Sequence, residues 1–212
     1  MSRSAVEISD HGKAALIPIS ISARHVHLTR ATVESLFGSG HALHVHSYLA
    51  QPGQFATEEQ VSLIGPAGRI DKVRIVGPER AENQVEVSRT DEITLGLDAP
   101  IRLSGQLTGT PGITLAGPAG TVQLDHGVIT ASRHIHMTPQ DAARLGVKDR
   151  DIVSVAVDHE GRKLIFGDVV IRVSADFHLE LHLDTDEGNA AGLHPGESGL
   201  LLTSTVHRAR IL

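Results

Sequence analysis

Two segments of the chain alternate imidazoles with apolar residues: Arg24-His25-Val26-His27-Leu28-Thr29 and Arg133-His134-Ile135-His136-Met137-Thr138. On a β-strand, residues i and i+2 point to one face, so each pair can offer two imidazole nitrogens to a single cation. Two nitrogens are half of a tetrahedral zinc site, and a catalytic zinc takes three protein ligands with the fourth position left for water or substrate. A weaker repeat offers the third. The run Gln84–Glu92 resembles Glu180–Glu187 when one residue is skipped beside the shared Thr-Asp-Glu, which sets Glu86 opposite His182. Each lies between apolar neighbours, Val85 and Val87 or Leu181 and Leu183, where a polar side chain needs solvent or a buried partner. The candidate ligand sets are therefore His25, His27 and Glu86, and His134, His136 and His182.

A third His-x-His, His44 and His46, lacks the arginine and threonine flanks and reads as a surface strand. His11, His126, His159, His178, His194 and His207 stand among polar or turn residues and read as exposed or structural. Turns at Gly77-Pro78-Glu79-Arg80 and from Ser104 to Gly112 combine an arginine with backbone donors, a pairing suited to a phosphate group. Taken alone, that pattern equally describes a surface ion pair and an ordinary hairpin.

Composition narrows the partners. With a net charge of -6 and 2% aromatic residues, the chain offers neither a basic field nor a stacking platform for nucleic acid. There is no cysteine, so disulfides, thiolate metal sites and a cysteine nucleophile are all excluded. No apolar run approaches the roughly 20 residues that cross a bilayer, and residues 1–15 lack the hydrophobic stretch of a secretory signal. The expectation is an intracellular, cytoplasmic protein without a membrane partner. The 40% hydrophobic and 21% charged residues fit a folded body throughout.

The elements that must hold these residues are short. Apolar runs rich in Val, Ile and Leu, bounded by Gly, Pro, Asp and Asn, predict strands at Leu16–Ile21, Val61–Ile64, Val73–Val76, Ile113–Leu115, Ile152–Val157 and Val169–Val173. Only two segments read as helices, one after Thr29 from Arg30 to Phe37, the other from Pro139 to Gly146 behind Thr138. The fold class is mainly β, and the duplicated motif implies two related barrels or half-barrels with the site between them.

At these residues the chain resembles the PduL-type phosphate propanoyltransferases, the phosphotransacylases associated with bacterial microcompartments. The likeness runs from about Ile17 onward. It rests on both Arg-His-x-His motifs, Gln51-Pro52-Gly53-Gln54, Val85–Asp91, Gly109-Thr110-Pro111-Gly112 and His182–Glu187. The resemblance implies two β-barrels that interleave, residues 14–23 with 132–212 and residues 24–131, after a short segment 1–13. It implies two zinc ions per chain on the two ligand sets above, with Arg80 as the active-site arginine and Ser104 as a phosphate contact. Phosphate would attack the thioester of propanoyl-CoA, or of acetyl-CoA, directly, giving acyl phosphate and coenzyme A. A homo-oligomer, a role in propanediol degradation and a place within a microcompartment accompany the family. The residues alone also admit a two-metal hydrolase of a thioester or phosphoester, and a non-catalytic zinc-binding module.

Overall fold

The computed structural model of the chain describes residues 15–202. His11, His207 and the segment 1–13 lie outside them. In chain order the elements are β1 (Ala15–Ser22), β2 (His25–His27), α1 (Arg30–Phe37), β3 (Val45–Tyr48), β4 (Phe55–Ile64), β5 (Arg69–Gly77), β6 (Gln84–Glu86), α2 (Arg89–Leu95), β7 (Ile101–Arg102) and β8 (Ile113–Ala116). There follow β9 (Thr121–Leu124), β10 (Val128–Ala131), β11 (His134–Met137), α3 (Pro139–Leu145), β12 (Ile152–His159), β13 (Arg162–Val173), β14 (Glu180–Asp184), α4 (Thr185–Ala191) and β15 (Ser198–Leu202).

The mainly β architecture with short helices is as expected, and every predicted strand is present. Six strands close a barrel in the order β1-β14-β11-β13-β12-β15. The others form a nine-stranded sheet, ordered β7-β10-β6-β2-β5-β4-β8-β9 with β3 beside β4, which curls into a half-barrel without closing. Each body has its own core. Ile17, Ile135, Val155, Ile171 and Leu181 fill the barrel, while Val26, Leu28, Leu36, Ile75, Val85 and Leu115 fill the half-barrel.

The expectation of only two helices is corrected by α2 and α4. Each has seven residues and follows directly from a strand that carries a third-ligand candidate. Ser88 and Asp91, like Asp184 and Glu187, form reciprocal capping boxes that satisfy the first amide groups of these helices. Their sequences hide them, because Ile93 and Thr94 in α2 and Gly188 in α4 are poor helix formers. At the far end of α2, α3 and α4, Gly96, Gly146 and Gly192 take positive φ angles of 72°, 70° and 67°, the left-handed stop that glycine adopts without strain.

The capping boxes also correct the repeat alignment. The N-cap follows Glu86 by two residues and follows His182 by two residues, so the two segments match with no skipped position. Asp91 then corresponds to Glu187, not Asp186. The pairing of Glu86 with His182 is unchanged.

Strand β1 belongs to the barrel but leads into β2 of the half-barrel, and β10 of the half-barrel leads into β11 of the barrel. The chain thus passes between the bodies twice. Each crossing carries the arginine that precedes the His-x-His: Arg24 pairs with Asp91 at 2.7 Å, and Arg133 pairs with Glu187. The arginine therefore fixes the crossing to the helix cap that follows the third ligand candidate.

Candidate active site

The register of the two bodies brings corresponding residues together. β2 runs antiparallel to β6 with His25 opposite Glu86, and β11 runs antiparallel to β14 with His134 opposite His182. Strand alternation does the rest. Leu181 and Leu183 turn into the barrel core, so His182 turns away from it; Ile135 and Met137 do the same for His134 and His136. Both triads face one cavity of about 540 Å³ between the bodies, lined also by Arg80, Ser104 and Arg172. That volume lies within the range of small-ligand sites.

In the first triad, His25 Nε2 lies 3.6 Å from Glu86 Oε2 and His27 Nε2 lies 3.8 Å from Glu86 Oε1. These separations exceed a hydrogen bond. The Nδ1 atoms are taken: that of His25 donates to Ala23 O at 2.9 Å and that of His27 to Val76 O at 3.0 Å. A carbonyl only accepts, so each ring carries its proton on Nδ1 and leaves the Nε2 lone pair facing the cavity. Burial, aided by the charges of His25 and Arg80, pushes the His27 pKa down to about 3, against the pull of Glu86 and Val76 O. Burial alone would raise Glu86, but His25, His27, His134 and Arg80 outweigh it and hold the carboxyl below its usual range. The set is two imidazoles with their Nε2 atoms toward the cavity and a carboxylate that stays ionised.

The second triad is all imidazole. His134 Nδ1 donates to Ser132 O at 2.7 Å, its ring stacks on His182 at 4.9 Å, and His136 packs on Phe177 at 4.1 Å. Burial and the neighbouring His182 push His134 to about 4, and burial with His134, His182 and Arg172 pushes His136 to about 2. Both nitrogens of His136 and Nε2 of His182 are buried with no hydrogen-bond partner. An unpaired buried polar atom costs roughly 1–3 kcal/mol, so the two on His136, beside a His182 Nε2 that touches only Glu180, suit a bound cation. Among the described residues the one other atom of this kind is Nε2 of His159, away from the cavity.

Ser104 and Arg80 meet beside the first triad. Arg80 donates to Ser104 Oγ at 3.2 Å and Gln84 Nε2 donates to the same oxygen at 2.8 Å, so the hydroxyl proton is free to turn to another acceptor. Gln84 also donates to Glu86 Oε1 at 2.6 Å and accepts from Gly105 N at 2.8 Å, which ties the Ser104 loop to a candidate ligand. Burial and Arg172 lower the Arg80 pKa, with Glu86 opposing; the guanidinium still remains charged at neutral pH.

All eight sequence-derived candidates line the cavity. Three of its other residues, Arg172, Glu180 and Gln51, were missed, and so was Gln84, which bonds Ser104 and Glu86 from outside the lining. Arg172 lies opposite His136 on β13, and Glu180 Oε2 stands 3.0 Å from His182 Nε2 as an ion-pair contact. Gln51 donates to Glu180 Oε2 at 3.1 Å, and Gln84 makes the contacts given above. Arg172 had a readable signal, a lone charge within Val169-Val170-Ile171-Arg172-Val173. His46 is exposed on β3, as a surface strand requires, whereas His44 precedes the strand and turns onto Glu59. Among the described residues, His126, His159, His178 and His194 join no ligand cluster.

The phosphate propanoyltransferase family model matches residues 18–194. A phosphate propanoyltransferase of Thermotoga maritima is 54% identical over 85% of this chain and 86% of its own. Those of Shewanella putrefaciens and Salmonella typhimurium are 53% and 50% identical, each over 88% of this chain and over 89% and 88% of their own.

Proposed function

As the chain belongs to the phosphate propanoyltransferase family, we propose that it moves the acyl group of propanoyl-CoA, and of acetyl-CoA, to inorganic phosphate at the cavity between its two bodies. The observation that carries this reading is the cluster of buried, unpartnered imidazole nitrogens facing the Arg80–Ser104 pair across one cavity. Both donor sets suit zinc. They present two imidazoles with a carboxylate, or three imidazoles, and each set is three-fold so that a position stays open. When bound, zinc ions on His25, His27 and Glu86 and on His134, His136 and His182 would supply fixed positive charge for the phosphate and Lewis acidity.

The remaining work belongs to the side chains. Arg80 and Arg172 bind the phosphate dianion and offset its charge, and Ser104 donates its free proton to a phosphate oxygen. A second phosphate oxygen attacks the thioester carbonyl; the new C–O bond forms, the C–S bond breaks, and coenzyme A leaves as its thiolate. Arg80 faces the oxygen on which negative charge develops. The products are propanoyl phosphate and coenzyme A. With no cysteine in the chain, no thioester to the protein can form.

Release of coenzyme A from propanoyl-CoA, followed with a disulfide reagent, tests this directly. Release should saturate with phosphate, hydroxylamine should trap propanoyl phosphate as its hydroxamate, and arsenate should also support turnover. Release at an equal rate without phosphate would make water the nucleophile and the protein a hydrolase.

A further inference from the structure

We propose that His41, His44 and Glu59 form a third divalent-cation site of zinc-like preference, which pins the α1–β3 connection onto β4. The site lies outside the cavity and does not depend on the acyl-transfer reading. Its donor set, two imidazoles and one carboxylate, is the same as that of His25, His27 and Glu86, and the three ligand atoms lie within 4.8 Å of one another.

The carboxylate is built into the fold. The Glu59 side chain is 7% exposed; its Oε1 contacts His41 Nε2 at 2.9 Å and His44 Nδ1 at 2.7 Å, and its Oε2 accepts from the His44 amide at 3.1 Å. Burial alone would push its pKa up, but the bonds from His44 and His41 hold it at about 2, so it is an anion at any working pH. His41 is held too, its ring stacked on Phe37 at the end of α1 at 5.1 Å. Glu58 adds further negative charge near His44.

The distances describe the proton-bridged form of the site. In a tetrahedral shell with bonds of about 2.0–2.2 Å, ligand atoms stand about 3.3 Å apart. An entering cation therefore replaces a bridging proton and moves the rings back by about half an ångström. His44 can make that movement, since its side chain is 62% exposed. The ligands of the first triad already stand 3.6 and 3.8 Å apart whereas these must move, so this site is weaker and fills last.

The site bears on the cavity through the chain that follows it. β3 leads to a turn closed by Leu49 N to Gln54 O at 3.0 Å, and at that turn Gln51 bonds the barrel at His178 and Glu180. A cation at His41, His44 and Glu59 stiffens the root of this arm.

Metal-free protein titrated with Co²⁺, read by its visible absorption and by equilibrium dialysis, separates the sites. The native sequence should take a third equivalent after the first two; His44→Ala and Glu59→Gln should saturate at two, and His46→Ala should keep three. His44→Ala removes an exposed side chain, so loss of folding does not obscure it. Saturation of the native protein at two equivalents, or a third equivalent that survives His44→Ala, overturns the proposal. Loss of one of the first two equivalents in His134→Ala/His136→Ala, with the third retained, keeps this test independent of the cavity.

Discussion

Arg80 stands where one side chain can act on the reaction without supporting the fold: it is held by Ser104 and by its own amide on Leu28 O, at the edge of the cavity. Arg80→Ala should keep its fold and metal but lose turnover by ~10²- to 10³-fold, the usual cost of removing a preorganised donor at a developing oxyanion. Steady-state kinetics beside circular dichroism and metal analysis check this, and activity within a few-fold of the native protein would remove Arg80 from the mechanism. Glu180 acts one step further out, between Gln51 and His182. Glu180→Gln removes a negative charge 3.0 Å from His182, so it should weaken metal affinity at the all-histidine triad, measured by competition with a chelator, and leave the His25 triad unchanged. The candidate ligands were legible because duplication made them stand out twice. Gln84 and Glu180 were not, although they occupy matching positions two residues before Glu86 and His182, because a glutamine and a glutamate at a strand end resemble ordinary surface residues. His44 was obscured in another way. Its pattern pointed to His46, while its partners are His41 and a glutamate fifteen residues on, on another strand.

At the scale of elements, a strand carrying the third ligand candidate and a capped helix form one reusable unit, seen as β6–α2 and as β14–α4. The caps at Thr29 and Thr138 were legible because helix-forming sequence follows each. Those at Ser88 and Asp184 were masked by β-formers and a glycine, and tertiary contacts complete them, such as Thr90 N to Asp186 Oδ2 at 2.8 Å. Thr138 and Asp141 form a reciprocal capping box at the start of α3 as well, and this one allows a clean test, being away from the cavity. Arg144 bonds Asp141 and, with Thr138, holds its pKa below the usual value although burial opposes them. A depressed carboxylate contributes stability that is present above its unfolded pKa of about 3.9 and is lost as pH falls through the lower folded value. Asp141→Asn should therefore cost roughly 0.3–1 kcal/mol at neutral pH, and the gap between the two urea denaturation curves should narrow below about pH 4.

For the whole molecule, the register confines each triad to one body, His25, His27 and Glu86 to the half-barrel and the three histidines to the barrel. Two tightly held metal equivalents per chain are expected, and His134→Ala/His136→Ala should remove about one of them and spare the other. Elemental analysis decides it; loss of both would mean that the triads form one cooperative site. The mainly β class and the presence of two related bodies could be read from the repeat. That one body closes while the other stays open could not, since closure depends on which strands pair at long range, β1 with both β14 and β15. The two chain crossings, Ala23-Arg24 and Ser132-Arg133, bear on how such a cavity can exist at all. Separate subunits meeting at such a cleft would lose rotational and translational freedom on every encounter. Tethered twice by two-residue links, the halves face each other at an effective concentration that no solution of separate chains reaches, so the surface between them is released from holding them together.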